Sequence, residues 1–158
     1  MGKYPLNAVQ MLAKIAEHTE AQRRDPEIGR PHQVFFRNDA VHITDLITHN
    51  VFHSVEKLQP ALVVANTVTG HTARMIARFK LPVWMLAVTC EHSVCQGLQF
   101  SSGVFPYQVD EEPEDWDAFI KGLTKDMQLG SDLLILVEGP SIRNPKANHR
   151  LEIIDLSN

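Results

Sequence analysis

The sequence ALVVANTVTGHTA, residues 61–73, passes from a short apolar run to a polar segment that contains three threonines and one glycine. An apolar run of this length is typical of a buried strand, because no position in it is suited to face water. The glycine tolerates the positive φ of a tight turn, and hydroxyl residues are common where a helix begins. The segment therefore predicts a strand, a turn and a helix, in that order.

The same alternation of apolar strands and helical segments continues along the rest of the chain. The predicted strands are residues 61–67, 82–89, 104–109, 132–138 and 150–156. The predicted helices between them are residues 73–79, 93–100 and 114–128. Strands that are apolar throughout indicate a parallel sheet with helices on both faces. The pattern predicts an α/β three-layer sandwich with a mostly parallel sheet and right-handed crossovers.

Two helical stripes precede this alternation. Pro5 suits the first turn of a helix, and apolar residues such as Met11, Leu12 and Ile15 recur behind it at helical spacing. A second helix is expected to begin between Asp39 and Thr44, either of which is a possible N-cap, and to end near Leu58. We expect a single domain with an N-terminal helix and polar connection (residues 1–38) and an α/β core (residues 39–158).

Composition excludes several classes of protein. The 158 residues include 19 acidic and 15 basic side chains, for a formal charge of −4, and the basic residues are scattered, so we expect no nucleic-acid partner. The apolar runs are far shorter than the roughly 20 residues of a spanning helix, so we expect no membrane partner. Two cysteines, Cys90 and Cys95, give no disulfide framework, which fits a cytoplasmic location.

The polar segment, which we call the threonine loop (residues 67–72), has the chemistry of a phosphate site. Free N–H groups at a helix N-terminus attract anions. The hydroxyls of Thr67, Thr69 and Thr72 can donate to phosphate oxygens, and Gly70 leaves room for a ligand. The alternative is that these hydroxyls only cap the helix that follows. The residues alone leave both interpretations open.

Six segments of the sequence resemble segments of pyruvate kinases and follow in the order of that family. One resembles the last helix of the catalytic barrel, and five resemble parts of the C-terminal regulatory domain. Residues 2–9 (GKYPLNAV) resemble the segment that opens the last barrel helix, and residues 43–49 (ITDLITH) are similar to the first helix of the C-terminal domain. Residues 67–74 (TVTGHTAR) resemble the effector-phosphate loop and the Ala-Arg helix start behind it. The other three segments resemble family strands and are residues 86–89, 103–106 and 131–135.

The resemblance implies a five-stranded sheet of order 3-2-1-4-5, with the ligand site at the point where the first and fourth strands meet. In allosteric members, the loops there hold fructose 1,6-bisphosphate or another phosphorylated effector. The ligand residues that the resemblance implies are Thr67, Thr69, Gly70, His71 and Thr72. Arg143 and Lys146, in the loop formed by residues 139–149, are the expected charge partners.

The chain also departs from the family. Trp116 lies near the place where some members hold a tryptophan over the sugar, but no arginine lies near it in the sequence to hold a second phosphate. A monophosphate or a bare anion is therefore expected rather than a bisphosphate. The catalytic barrel, with its metal-binding carboxylates and catalytic lysine, has no counterpart in these residues. We expect no catalytic residues, no cofactor and no pyruvate kinase activity.

Three functions remain open. The preferred one is a stand-alone, non-catalytic domain that binds phosphate or a small phosphorylated metabolite. The second is a regulatory part or subunit of a true pyruvate kinase, which converts phosphoenolpyruvate and ADP to pyruvate and ATP. The third is a small divergent enzyme that uses His71 or Cys90 in the crevice of the same ligand site. Because the first helix would lack the barrel that covers it in the family, we also expect a homo-oligomer.

Histidines, cysteines and acidic residues offer other candidate sites. His42, His49 and His53 would share one face of a continuous helix and could bind zinc or form an interface. Residues 90–95 (CEHSVC) could supply thiolate ligands or a reactive thiol, although free cysteines are commonly small buried apolar residues. The acidic run at residues 110–115 is best explained as the start of a helix. We expect no metal site.

Overall fold

The computed structural model describes residues 4–22, 42–125, 127, 129–139, 146 and 148–157. The chain divides into two compact units, Met1–Arg30 and Pro31–Asn158. In the first unit, helix α1 spans Pro5–Gln22 and carries the predicted apolar stripe. Met11, Leu12 and Ile15 of that stripe are more than half exposed.

The second unit alternates helices and strands as the sequence predicts. Its elements in chain order are α2 Ile43–Leu58, β1 Leu62–Asn66, α3 His71–Ala77, β2 Met85–Thr89, α4 His92–Leu98, β3 Val104–Gln108, α5 Trp116–Thr124, β4 Leu133–Glu138 and β5 Arg150–Asp155. Each predicted strand and helix of this region has a counterpart, so the prediction of an α/β fold is confirmed.

The five strands form one sheet in the order β3-β2-β1-β4-β5. β1 is central and parallel to both neighbours, and its Val64 is level with Leu86 of β2 and with Leu136 of β4. β3 is also parallel to β2, whereas β5 runs antiparallel to β4. The strand order that the family resemblance implies is therefore confirmed, and the sheet is mostly parallel.

Side chains of successive strand residues enter two separate cores, because a strand presents alternate residues to opposite faces. Val63 and Ala65 pack in the core formed with α2, α3 and α4. Val64 packs in the other core, which Trp116 and Ile120 of α5 cover. The result is three layers, with the sheet between three helices on one face and α5 on the other.

β3 departs from the expectation that every strand of the sheet is buried. Only its first residue, Val104, is buried, and Phe105 is 57% exposed although it is level with the buried Leu86. β3 is an edge strand, so one side of it has no neighbouring strand. Pro106 lies within it, and a proline is tolerated at an edge because the missing N–H would otherwise face solvent.

One predicted helix start is confirmed and another differs. α2 begins at Ile43, between Asp39 and Thr44 as predicted, but it follows His42, which has extended backbone angles and makes no side-chain cap hydrogen bond, so Thr44 as the N-cap is wrong. Asp39, the other candidate, lies outside the described residues. α5 begins at Trp116, later than predicted, because the Asp115 carboxylate caps it by accepting a 2.9 Å hydrogen bond from the Ala118 N–H. No helix among the described residues has the length and apolar character needed to span a membrane.

Candidate functional site

The threonine loop joins the carboxyl end of β1 to the first turn of α3. β1 lies between β2 and β4 in the sheet. The chain leaves β1 toward the face that α3 covers, whereas α5, which precedes β4, covers the opposite face. β1 and β4 therefore form a topological switch point, and the loop lies at the edge of the sheet where open α/β folds bind ligands.

Thr67 and Gly70 give the loop its shape. The Thr67 side chain is buried, and its hydroxyl oxygen accepts a 2.9 Å hydrogen bond from the Gly70 N–H. The Thr67 N–H donates to the carbonyl of Val88 on β2 at 3.0 Å, which ties the start of the loop to the sheet. Gly70 has φ of +74° and is the residue that precedes α3. That positive φ favours glycine at this position.

The remaining loop residues are less tightly held. The Thr69 hydroxyl oxygen accepts a long hydrogen bond of 3.4 Å from the His71 N–H. His71 is exposed at the first position of α3, and Thr72 is half-buried. A hydroxyl that accepts through oxygen keeps its own proton for a further partner. The loop thus presents hydroxyl donors at its surface, although two backbone N–H groups are already engaged within it.

Arg74 lies at the loop, although it is not among the site residues predicted from the sequence. Its guanidinium Nη1 donates a 3.0 Å hydrogen bond to the Thr69 carbonyl. A Cβ atom placed on Gly70 would lie 2.9 Å from Nη1, so the guanidinium rests directly on the glycine. The sequence held a clue, because a helical side chain leans toward the N-terminus and reaches the residue four positions before it.

A polar network lies where the carboxyl ends of β1 and β4 meet. Asn66, at the end of β1, donates to Glu112, and the Asn66 amide and Trp116 side chain also hydrogen-bond to Glu138 at the end of β4. Arg150 lies 3.4 Å from the Glu138 carboxylate. Burial raises the pKa of Glu138 above its ordinary value, and the Glu112 charge adds to this while Arg150 opposes it.

This network changes the expected role of Trp116. Its side chain is only 8% exposed, and its ring packs edge-on against Phe119 with centroids 5.7 Å apart. With the indole hydrogen-bonded to Glu138, the aromatic face is part of the core beneath α5. Trp116 is therefore not placed to stack on a ligand in this conformation.

The crevice between the ends of β1 and β2 is small. Its volume is about 10 Å³, which is near the least that holds one water molecule. Thr67, Cys90, Glu91 and Glu112 are among its lining residues. A ligand larger than water does not fit into this crevice in the present conformation.

The predicted charge partners lie in the loop that follows β4. Arg143 lies outside the described residues. Lys146 is exposed in a turn. At the start of this loop, Gly139 packs against the His149 ring, and a Cβ atom there would lie 3.2 Å from Nδ1. That Arg143 and Lys146 are the charge partners therefore stays a prediction, and the cation that the structure shows at the threonine loop is Arg74.

The histidines of the alternative metal and thiol sites contact neighbouring side chains. The rings of His49 and His53 meet at 4.4 Å between centroids, and His53 Nδ1 lies 3.1 Å from the Glu56 carboxylate. His92 hydrogen-bonds to Gln108 at 2.9 Å, and Cys95 is half-buried. Within the part of the chain that the structure describes, no group of three or more His, Cys, Asp and Glu side chains is arranged to hold a metal ion.

Comparison with known proteins finds one family. A family model described as the alpha/beta domain of pyruvate kinase matches residues 45–153. The pyruvate kinase of Thermococcus litoralis is 31% identical over 159 residues, which cover 99% of this chain and 33% of that enzyme. The pyruvate kinase of Lactococcus lactis is 28% identical, and the match covers 93% of this chain and 29% of the enzyme. The chain thus spans at most about a third of these relatives.

Solved structures show the same likeness in three dimensions. Cryptosporidium parvum pyruvate kinase in complex with ADP superposes with a TM-score of 0.64 and 23% identity, over 75% of this chain and 24% of that one. Another crystal structure of Cryptosporidium parvum pyruvate kinase gives a TM-score of 0.59 at 20% identity. At this level of identity the likeness concerns the fold.

Proposed function

The chain belongs to the family of the pyruvate kinase alpha/beta domain, and from this premise we propose that it binds inorganic phosphate or a small phosphorylated metabolite at the threonine loop. In this role the domain has no catalytic residue of its own. Thr69, His71 and Thr72 contact the ligand, and Thr67 and Gly70 hold the loop in shape. The observation that carries the proposal is the position of this loop at the carboxyl edge of the sheet, beside the switch point of β1 and β4.

The chemistry of the loop supports an anionic ligand. Hydroxyl groups and backbone N–H groups donate hydrogen bonds, which suits phosphate oxygens, and such charge-assisted bonds are about twice as strong as neutral ones. The Arg74 guanidinium adds positive charge at the same place. Glu112 and Glu138, on the side toward α5, favour a ligand without a second phosphate there, because like charges repel.

A melting experiment tests this function. The melting temperature of the chain should rise with added phosphate at constant ionic strength, because a ligand that binds only the folded state stabilises it. Thr69→Ala should weaken phosphate binding about tenfold to a hundredfold, since one charge-assisted hydrogen bond is worth roughly 1.5–3 kcal/mol. The matched control is Ser93→Ala, an exposed hydroxyl at the start of α4, which should respond like the wild type.

The comparison between variants decides between a ligand site and a helix cap. If Thr69→Ala shifts with phosphate as much as the wild type, the loop is only a cap for α3. If Thr69→Ala unfolds without ligand at a much lower temperature than the Ser93→Ala control, the role of Thr69 is structural. Either result removes Thr69 from the site.

A second function is that the domain is a regulatory part or subunit of a pyruvate kinase. It is favoured by the match of 99% of this chain to a third of a longer pyruvate kinase. The 158 residues alone should then show no turnover of phosphoenolpyruvate and ADP in the presence of magnesium and potassium. Added to a pyruvate kinase barrel that lacks its own alpha/beta domain, they should bind it and change its rate. Turnover by the chain alone, carried through repeated purification, would contradict both functions.

A further inference from the structure

We propose that Arg74 is the anion-binding cation of the threonine loop, and that its guanidinium also holds the loop in the shape that binding requires. This inference rests on the phosphate binding proposed above. It assigns the positive charge of the site to the first turn of α3, whereas Arg143 and Lys146 are the cations predicted from the sequence.

The first observation is that the peptide between Thr69 and Gly70 is fixed on both sides. Its carbonyl accepts the hydrogen bond from Arg74 Nη1 at 3.0 Å, and its N–H donates to the Thr67 hydroxyl at 2.9 Å. In a planar trans peptide these two groups point in opposite directions, so the contacts together define the orientation of the plane. The next peptide, between Gly70 and His71, is held by the first helical bond of α3, from the Arg74 N–H to the Gly70 carbonyl at 3.0 Å.

The second observation is that two glycines from different elements leave room for this one guanidinium. A Cβ atom on Gly70 would lie 2.9 Å from Nη1, closer than side chains tolerate. A Cβ atom on Gly97, in α4, would lie 3.8 Å from Nη2, which is ordinary van der Waals contact. The Arg74 guanidinium thus lies between the threonine loop and α4.

The third observation concerns charge. Arg78, on the next turn of the chain, places Nη2 3.1 Å from the Asp45 carboxylate, which compensates its charge. Within the described residues, no carboxylate forms an ion pair with Arg74, whose guanidinium bonds to a neutral carbonyl. A guanidinium has five N–H donors, and the bond to Thr69 uses one of them. Arg74 is exposed, so the remaining donors can meet an anion at the loop.

Titration of the whole chain with inorganic phosphate, at several sodium chloride concentrations, tests the proposal. We expect Arg74→Gln to bind phosphate at least tenfold more weakly than the wild type. The dependence of its affinity on salt should also be shallower, because one charge that salt screens has been removed. Arg78→Gln removes the same charge from the C-terminal end of α3, away from the threonine loop, and should leave both quantities unchanged. A purely structural role of Arg74 would lower the affinity without changing its salt dependence.

Arg74→Lys separates charge from shape. Lysine keeps the charge but cannot reproduce the planar fork, so we expect weaker binding with the salt dependence of the wild type. If the Arg74→Gln variant keeps the wild-type salt dependence, or if Arg74→Lys behaves like Arg74→Gln, the assignment of the cation is wrong. If phosphate binding is lost in Thr69→Ala but kept in Arg74→Gln, the proposed function stands and this inference fails. If the wild type binds no phosphate, both fail.

Discussion

At the scale of single residues, the three threonines of the loop differ in what their side chains contact. Thr67 is buried and bonded to Gly70, so its hydroxyl serves the loop itself. Among the described residues, the Thr69 side chain makes one hydrogen bond, the 3.4 Å contact to His71, and Thr72 is half-buried. Substitution of Thr67 should therefore affect stability, whereas substitution of Thr69 should affect mainly the ligand.

Gly70→Ala should lower the free energy of unfolding by about 1–2 kcal/mol from the left-handed backbone alone. The new Cβ should also displace the Arg74 guanidinium, and any further loss would come from its hydrogen bond to the Thr69 carbonyl. Gly103→Ala is the matched control, since Gly103 has φ of +72° but no atom lies within 4 Å of the place that its Cβ would take. Urea unfolding should show the larger loss at Gly70, and equal losses would mean that Arg74 moves aside without cost. Gly70→Asp should likewise lower the stability of the protein without ligand, because aspartate meets the same backbone strain and the same contact with Arg74.

Glu138 should make stability depend on pH. Burial raises its pKa in the folded state above the ordinary 4.5, so the folded chain holds this proton more tightly than the unfolded chain. The resulting stabilisation is complete below the ordinary pKa and is lost as pH rises through the raised value. Urea unfolding over this range should show wild type losing stability relative to Glu138→Gln, while Glu114→Gln serves as an exposed control. If the stability of wild type minus that of Glu138→Gln stays constant or rises with pH, the raised pKa of Glu138 is contradicted.

At the scale of elements, α5 shows how one cap sets a boundary. Asp115→Ala should lower the free energy of unfolding by about 1 kcal/mol, because the Ala118 N–H in the first turn of the helix loses its acceptor. Glu114→Ala, one residue earlier and exposed, should cost much less. Urea unfolding of the two variants measures the difference. Equal losses would show that negative charge near the N-terminus of α5, rather than the Asp115 cap, stabilises the helix.

The elements themselves were predictable because their patterns are strong. The apolar runs of β1, β2 and β4 identify central strands, since both faces of these strands are covered. The exposure of β3 was not predictable, because a sequence does not say which strand lies at an edge. Strand order came from the family resemblance and not from the pattern.

The candidate site was predictable only in part, for a related physical reason. Composition identifies the threonine loop and the residue types that suit an anion. It does not say that Thr67 turns inward to bond Gly70, or that Arg74 folds back over the same glycine. Those contacts depend on the backbone path between β1 and α3, which a list of residue types does not contain.

At the scale of the whole molecule, we expect the chain to form at least a dimer at micromolar concentration. Met11, Leu12 and Ile15 of α1 are each more than half exposed, and extended apolar patches are uncommon on monomers. Light scattering should give a mass above 17.8 kDa. Leu12→Lys should reduce that mass, whereas Gln10→Lys, the same charge at a polar position of α1, should not. A clean monomer in the wild type would contradict the expectation.

The strand order also affects the order in which the strands pair during folding. The segment from α2 to β3 pairs neighbours along the chain, so one half of the sheet can assemble as soon as it is synthesised. The pairing of Leu62 with Leu134 instead closes a loop on the order of seventy residues, which makes it entropically slower. We therefore expect β1 to pair with β4 after it has paired with β2. A nascent chain that stops before β4 would leave one side of β1, next to the threonine loop, as an open sheet edge.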